Sequence, residues 1–138
     1  MINWSEILDL EEVLLTLLYW VVTLGLAGLL MIVFELFTPY KDREELLAGN
    51  VAVGAQFAGK IIGLGIITEA SIAHNVSLIG AAVWIVIGYI LMLIGYYVFE
   101  LITPFKIEDE IKKGNVAIGV LVASVSIFIG FAVSGSIT

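Results

Sequence analysis

Four long apolar stretches constrain this chain more than any other feature, at roughly 13–37, 51–72, 78–102 and 116–137. A helix needs about 20 mostly apolar residues to cross the hydrocarbon core of a bilayer, and each stretch meets that length. Lipid offers the backbone no hydrogen bonds, so a span must satisfy its N–H and C=O groups internally, as a helix does. The 138 residues are 61% hydrophobic and 14% charged, against about 45–50% and about 25% in a soluble domain. The expected class is an all-α membrane protein with four transmembrane helices and the lipid bilayer as its solvent. No soluble domain of useful size is left over.

The spans come as two copies of one unit. Phe34-Glu35-Leu36-Phe37-Thr38-Pro39-Tyr40-Lys41 returns as Phe99-Glu100-Leu101-Ile102-Thr103-Pro104-Phe105-Lys106, and Gly49-Asn50-Val51-Ala52-Val53-Gly54 returns as Gly114-Asn115-Val116-Ala117-Ile118-Gly119. Both matches share an offset of 65, which chance does not produce twice in one register. The expected organisation is an acidic leader over 1–12, a first two-span repeat over 13–73 and a second over 74–138. A unit with two spans returns the chain to the side where it began. The copies are therefore parallel tandem repeats related by a pseudo-twofold along the membrane normal.

Basic residues orient the chain. Lys41, Arg43, Lys106, Lys112 and Lys113, five of the six, fall in the two Thr-Pro loops. The positive-inside rule places both loops in the cytoplasm and both termini outside. Each loop reads as a short amphipathic helix. Thr38 and Thr103 sit at the N-cap position, with Pro39 and Pro104 at the first helical position. Acids follow in the early turns, Asp42, Glu44 and Glu45 in one loop and Glu108 and Asp109 in the other, where the helix dipole favours them. Gly49 and Gly114 can stop these helices, and Asn50 and Asn115 can cap the next spans. The leader holds Glu6, Asp9, Glu11 and Glu12 and no basic residue, unlike a signal peptide. Trp4, Ile7 and Leu8 share one helical face there, so the leader reads as an interfacial helix or as an acidic disordered segment.

The Thr-Pro motif, the short acidic-basic loop, the Gly-Asn-x-Ala-x-Gly start of the second span and the duplicated unit together resemble the domain-of-unknown-function 350 family, the YjfL-like bacterial inner-membrane proteins. The resemblance covers about 13–137. It implies four helices in two repeats and a plasma-membrane location. Members are sometimes encoded near membrane-stress proteins of the phage-shock type, which implies a link to envelope stress. It implies no reaction and no catalytic residue.

Ionisable residues inside spans are expensive, and they supply the candidate site. Lys60 lies ten residues after Asn50, about 15 Å along a helix, near mid-bilayer. Gln56 sits one turn before it on the same face. In the second copy these positions are Leu121 and Val125, so only one copy carries the polar face. The functional reading is an ion, substrate or proton-relay site. The structural one is an amine that snorkels or pairs with a carboxylate. Glu35 and Glu100 lie near the cytoplasmic ends of their spans, where their oxygens reach water or the positive dipole end of the following span; the alternative is a vestibule of two carboxylates around the pseudo-twofold, one of which Lys60 could pair with. Ala55, Gly59 and Gly63, then Ala81, Gly88 and Gly95, then Gly119, Ala123 and Gly130 form small-residue stripes that let helices approach closely. The stripes exceed what one bundle needs, so a homo-oligomer is expected. Trp4, Tyr40 and Phe105 are placed at the interface, and Trp20 and Trp84 deeper, as packing or lipid contacts.

Some classes drop out. The chain has no cysteine and a single histidine, His74, so thiolate sites, disulfides and histidine-rich metal sites are excluded, and neither a metal nor a cofactor is expected. No histidine stands near Ser124 or Ser126, and no carboxylate pair lies at mid-depth, so an enzyme is not expected. A net charge of −7 disfavours nucleic acid. Two readings stay open: a structural or regulatory membrane protein that offers loops 38–50 and 103–115 to a cytoplasmic protein partner, and a small ion or solute channel or transporter. The second would use Lys60, Gln56, Glu35 and Glu100.

Overall fold

The computed structural model describes residues 4–37 and 41–138. The described residues form seven helices and no strand: α1 (Trp4–Ile7), α2 (Leu10–Phe37), α3 (Asp42–Leu47), α4 (Val51–Ala73), α5 (Leu78–Ile102), α6 (Ile107–Lys112) and α7 (Val116–Ser134). Helices α2, α4, α5 and α7 are long and apolar enough to cross a membrane. Their bounds lie within three residues of the expected spans. The largest differences are at the two ends. Helix α2 starts early because the Asp9 carboxylate accepts the Glu11 N–H at 3.0 Å, and Glu11 and Glu12 occupy its first turn, where the dipole favours acid.

The core is built on α4 and α7, which run parallel at close range. A methyl group added to Gly59 would overlap the Ala123 backbone, and one on Gly119 would lie 2.5 Å from the Ala52 carbonyl oxygen. Gly63 meets Ser126 and Gly130 in the same way further along. Glycine and alanine at these points allow backbone-to-backbone contact, which supplies dispersion energy in lipid, where no hydrophobic effect drives helices together. Helix α5 lies antiparallel across this pair, with Gly88 against Ile67 and Val133 and Gly95 against Ile129. All three small-residue stripes are thus seams inside the bundle over most of their length.

Helix α2 packs more loosely. Its Phe34 ring meets Tyr89 and Tyr96 of α5 edge-on, at centroid distances of 6.3 and 5.9 Å. Along its middle, a groove of about 400 Å³ separates it from α4, between Thr23, Ala27 and Gly28 on one side and Leu64, Gly65 and Thr68 on the other. At the repeat spacing, Thr23 and Leu30 of α2 stand where α5 has Gly88 and Gly95. The bulkier side chains hold α2 off. Leucines and valines cover its outer face, and Trp20 is 60% exposed, which fits contact with lipid rather than packing. Helix α4 is the least apolar of the spans and the best covered. That coverage allows it to carry polar groups.

The short helices α3 and α6 lie together at one end of the bundle, joined by the Asn50 amide, which donates to the Ile111 carbonyl at 3.1 Å. Gly49 and Gly114 end them with φ of 81° and 82°, the left-handed values that glycine adopts at no steric cost. The expected start of the second loop helix is corrected. Thr103 closes α5, its hydroxyl donating to the Phe99 carbonyl at 2.7 Å. The residue before a proline is driven to extended backbone, and Thr103 sits at φ −85° and ψ 131°. Helix α6 starts only at Ile107, with Lys106 as its N-cap and no side-chain cap bond. Its start is set by where Ile107 is buried, not by the Thr-Pro pair. The corresponding expectations for Thr38 and Pro39, and the interfacial place of Tyr40, fall outside the described residues.

Candidate functional site

Gln56 and Lys60 stand one turn apart on the covered face of α4, and each residue is 1% exposed. The Lys60 stem turns back toward the loop end of the bundle. Its Nζ lies 3.7 Å from Asp42 Oδ2, in the first turn of α3, and 3.6 Å from the centroid of the Phe34 ring. Phe34 is itself held by Tyr89 and Tyr96. Helices α2, α3 and α5 therefore supply the pair's carboxylate and aromatic wall, and α4 supplies its cation. A desolvated ammonium over an aromatic face gains about 2 kcal/mol, which offsets part of the cost of burying it.

The pair is enclosed but poorly satisfied. A separation of 3.7 Å is longer than a charge-assisted hydrogen bond, about 2.7–2.9 Å. Among the described residues, Lys60 Nζ, Asp42 Oδ1 and the Tyr89 hydroxyl have no hydrogen-bond partner. Burial pushes the Asp42 carboxyl up from its ordinary value of 3.8, Lys60 pulls it down, and Glu35 pushes it up again. On α6, burial raises the Glu108 carboxyl, with Glu100 and Asp109 adding to the rise and Lys106 and then Lys60 opposing it. The Lys60 ammonium thus faces the fields of two carboxylates, Asp42 and Glu108.

The remaining candidates separate by role. Asn50 and Asn115 are helix caps. The Asn50 amide oxygen accepts the N–H groups of Ala52 at 3.1 Å and Val53 at 3.3 Å, and Asn115 accepts that of Ile118 at 3.4 Å. Their amide nitrogens donate to Glu45 at 3.0 Å and Glu110 at 2.9 Å, so each cap also holds the end of its own loop helix. Glu35 and Glu100 are half-buried near the loop ends of α2 and α5. Asp42 stands at ion-pair distance from Lys60, whereas the sequence offers Glu35 or Glu100 as one alternative partner. The helical fold brings Asp42 in because α3 folds back under the bundle, which places its first turn within reach of the lysine. No group of three or more metal-binding side chains occurs among the described residues.

Asp42 is the functional residue that sequence reasoning missed, although a signal for it exists. At the repeat spacing, Asp42 answers to Ile107, Gln56 to Leu121 and Lys60 to Val125. All three polar members fall in the N-terminal segment and none in the segment matching it 65 residues on. A polar pair that appears in one repeat and vanishes together in the other marks groups that meet in space.

Comparison with known proteins points the same way as the geometry. The family model described as Domain of Unknown Function (DUF350) matches residues 7–137. The chain is 40% identical over 110 residues to the UPF0719 transmembrane protein YshE of Bacillus subtilis (strain 168), covering 79% of this chain and 82% of that protein. It is 25% identical over 100 residues to a UPF0719 transmembrane protein of Aquifex aeolicus (strain VF5), covering 70% of this chain and 37% of that longer one. No solved structure matches. Four membrane-length helices, relatives named as transmembrane proteins and a match along nearly the whole chain lead to one statement: the chain belongs to the DUF350 family of membrane proteins of unknown function.

Proposed function

We propose that this protein is a structural or regulatory component of the bacterial inner membrane, which presents its paired loop helices to a cytoplasmic protein. One observation carries the reading: the charge inside the spans is closed on itself. Lys60 is 1% exposed and faces Asp42 and the Phe34 ring, whereas a conducting site needs its polar groups on a water-filled path. What the pair does in this arrangement is fix α3 against the bundle. The loop helices then offer an outer surface of mixed charge, with Arg43, Glu44, Asp109, Lys112 and Lys113 all exposed.

Under this reading the two units are tandem parallel repeats, both Thr-Pro loops face the cytoplasm and both termini lie outside. A homo-oligomer would cover part of the loosely packed outer face of α2, and the family resemblance favours a role in envelope stress. The experiment is affinity capture from cells with the exposed loop charges reversed together in both loops. Loss of a specific partner is expected; recovery of the same partners from the reversed protein overturns the reading. The competing channel or transporter is tested on purified protein in vesicles. A solute or ion flux that Lys60→Ala abolishes would establish it in place of the structural role.

A further inference from the structure

We propose that the α4–α7 seam continues from molecule to molecule: the outer face of α7 in one chain docks on the outer face of α4 in a second copy of this chain. This contact rests on the homo-oligomer of the proposed function and names its surface. It uses no loop residue, so reversing the loop charges tests the cytoplasmic partner and leaves this contact untouched.

The seam inside the chain joins two unlike faces. Ala52, Gly59 and Gly63 of α4 meet Gly119, Ala123 and Gly130 of α7. The residues of α4 that stand 65 before those of α7 are Gly54, Ala58 and Gly65, not the three that make the seam. The seam is therefore head-to-tail rather than twofold, and it leaves one face of each kind unused. On α4 the unused face is as small as its match on α7. Ala58 is exposed, Gly65 has nothing within 4 Å of an added methyl, and Gly54 meets only the end of the Leu46 side chain. Small residues let helix backbones approach closely, which contact with lipid does not require. The same glycine, alanine and glycine already receive a helix in this structure, on α7, and the face they receive is Ala52, Gly59 and Gly63. Its match on α7 is Ala117, Ser124 and Phe128, all three exposed.

Carried over pair by pair, the contact sets Ala117 on Gly54, Ser124 on Ala58 and Phe128 on Gly65. The last pair is a knob and a hole. Phe128 is 71% exposed, and Gly65 stands on the wall of the groove between α2 and α4, which has room for the ring. The same docking gives α2 the neighbour it lacks. Gly88 of α5 packs between Ile67 of α4 and Val133 of α7. The matching Thr23 of α2 shares the groove with Thr68, the match of Val133. The match of Ile67 is Ala132, exposed on the outer side of α7, and the docked molecule brings its own Ala132 to that place. Contacts between unlike faces run on from chain to chain until they close in a ring, with every chain in one orientation across the bilayer.

The chain has no cysteine. Ala58 and Ser124 are exposed and turned away from the seam that Gly59 and Ala123 make, so a disulfide between Ala58→Cys and Ser124→Cys forms only between molecules. Full-length protein with both changes, oxidised in the membrane of the cells that express it, should give linked bands of two or more chains, and each single variant should stay unlinked. No link in the double variant overturns the contact. So does a linked dimer from either single variant, which would mean that like faces meet. Native mass spectrometry from lipid nanodiscs is the second readout. The parent should appear as a multiple of 14.9 kDa and Ala58→Leu as a single chain, while Gly25→Leu, at an equally open position on α2, should keep the state of the parent. An oligomer that survives Ala58→Leu, an equal loss in Gly25→Leu, or a monomeric parent with a lipid chain in the groove overturns the proposal. A monomeric parent that still captures a loop-dependent partner would refute the contact and leave the cytoplasmic-partner reading standing.

Discussion

At the scale of single residues, the Lys60–Asp42 pair and the two asparagine caps carry most of the specificity. Removing one member of a buried pair leaves the other charge uncompensated, at about 3–5 kcal/mol. Lys60→Met and Asp42→Ala should each destabilise the protein on that order in detergent unfolding assays, and Asp42→Ile with Lys60→Val should lose far less than the two single changes combined. The caps differ in reach. Asn115→Ala removes a cap worth about 1 kcal/mol. Asn50→Ala also removes the bond to the Ile111 carbonyl, another 0.5–1.5 kcal/mol or about that, so it should be the more damaging change by thermal melting. The pH profile contains opposite signs. Hydrogen bonds from Asn115 and Lys113 hold the Glu110 carboxyl below its ordinary 4.5, so its contribution is present above 4.5 and lost as pH falls through the lowered value. Asp42 behaves in reverse, gaining as pH falls. Stability measured against pH should therefore lose its acid-side gain in Asp42→Asn and its acid-side loss in Asn115→Ala.

At the scale of helices, glycine has two different meanings in this chain. In the α4–α7 seam it is a contact. Gly59→Ala drives a methyl into the Ala123 backbone, and overpacking of this kind costs about 1–3 kcal/mol. In α2 and on the groove wall, Gly25, Gly28 and Gly65 have nothing within 4 Å of an added methyl. Alanine there removes backbone freedom in the unfolded chain, with a gain of about 0.5–1 kcal/mol. Thermal stability in one detergent should fall for Gly59→Ala and rise for Gly28→Ala. Equal effects would mean that α4 and α7 do not meet as described. The same contrast explains why α5 is seated and α2 is not, since the close-contact glycines Gly88 and Gly95 have no counterpart at Thr23 and Leu30.

At the scale of the molecule, the arrangement is a tight three-helix core of α4, α5 and α7, with α2 attached at one edge and two short helices closing one end. The segments that match at an offset of 65 do not have matching environments. Helix α4 buries the face that includes Gln56 and Lys60, whereas Leu121 of α7 is 42% exposed. Polar side chains stand on α4, the best covered of the long helices, and apolar ones at the matching positions of the less covered α7, as the cost of an intramembrane charge requires. Because α3 and α6 share one end, Lys41→Cys and Lys112→Cys should react with a membrane-impermeant thiol reagent from the same side of sealed vesicles. Reaction from opposite sides would overturn the topology.

The sequence by itself determined the four spans, the two glycine stops and the two asparagine caps. Each depends on composition and on neighbours within a few residues: apolar length for lipid, left-handed backbone at Gly49 and Gly114, and an amide next to the first free N–H groups at Asn50 and Asn115. It also picked out Lys60 and Gln56, because charge and amide are conspicuous in an apolar run. The tertiary structure alone decided what Lys60 meets, where α6 begins and which spans form the core. Those outcomes depend on how deeply a loop helix folds back and on which glycines face which backbone. Such contacts join residues far apart in the chain, and no local pattern encodes their distance.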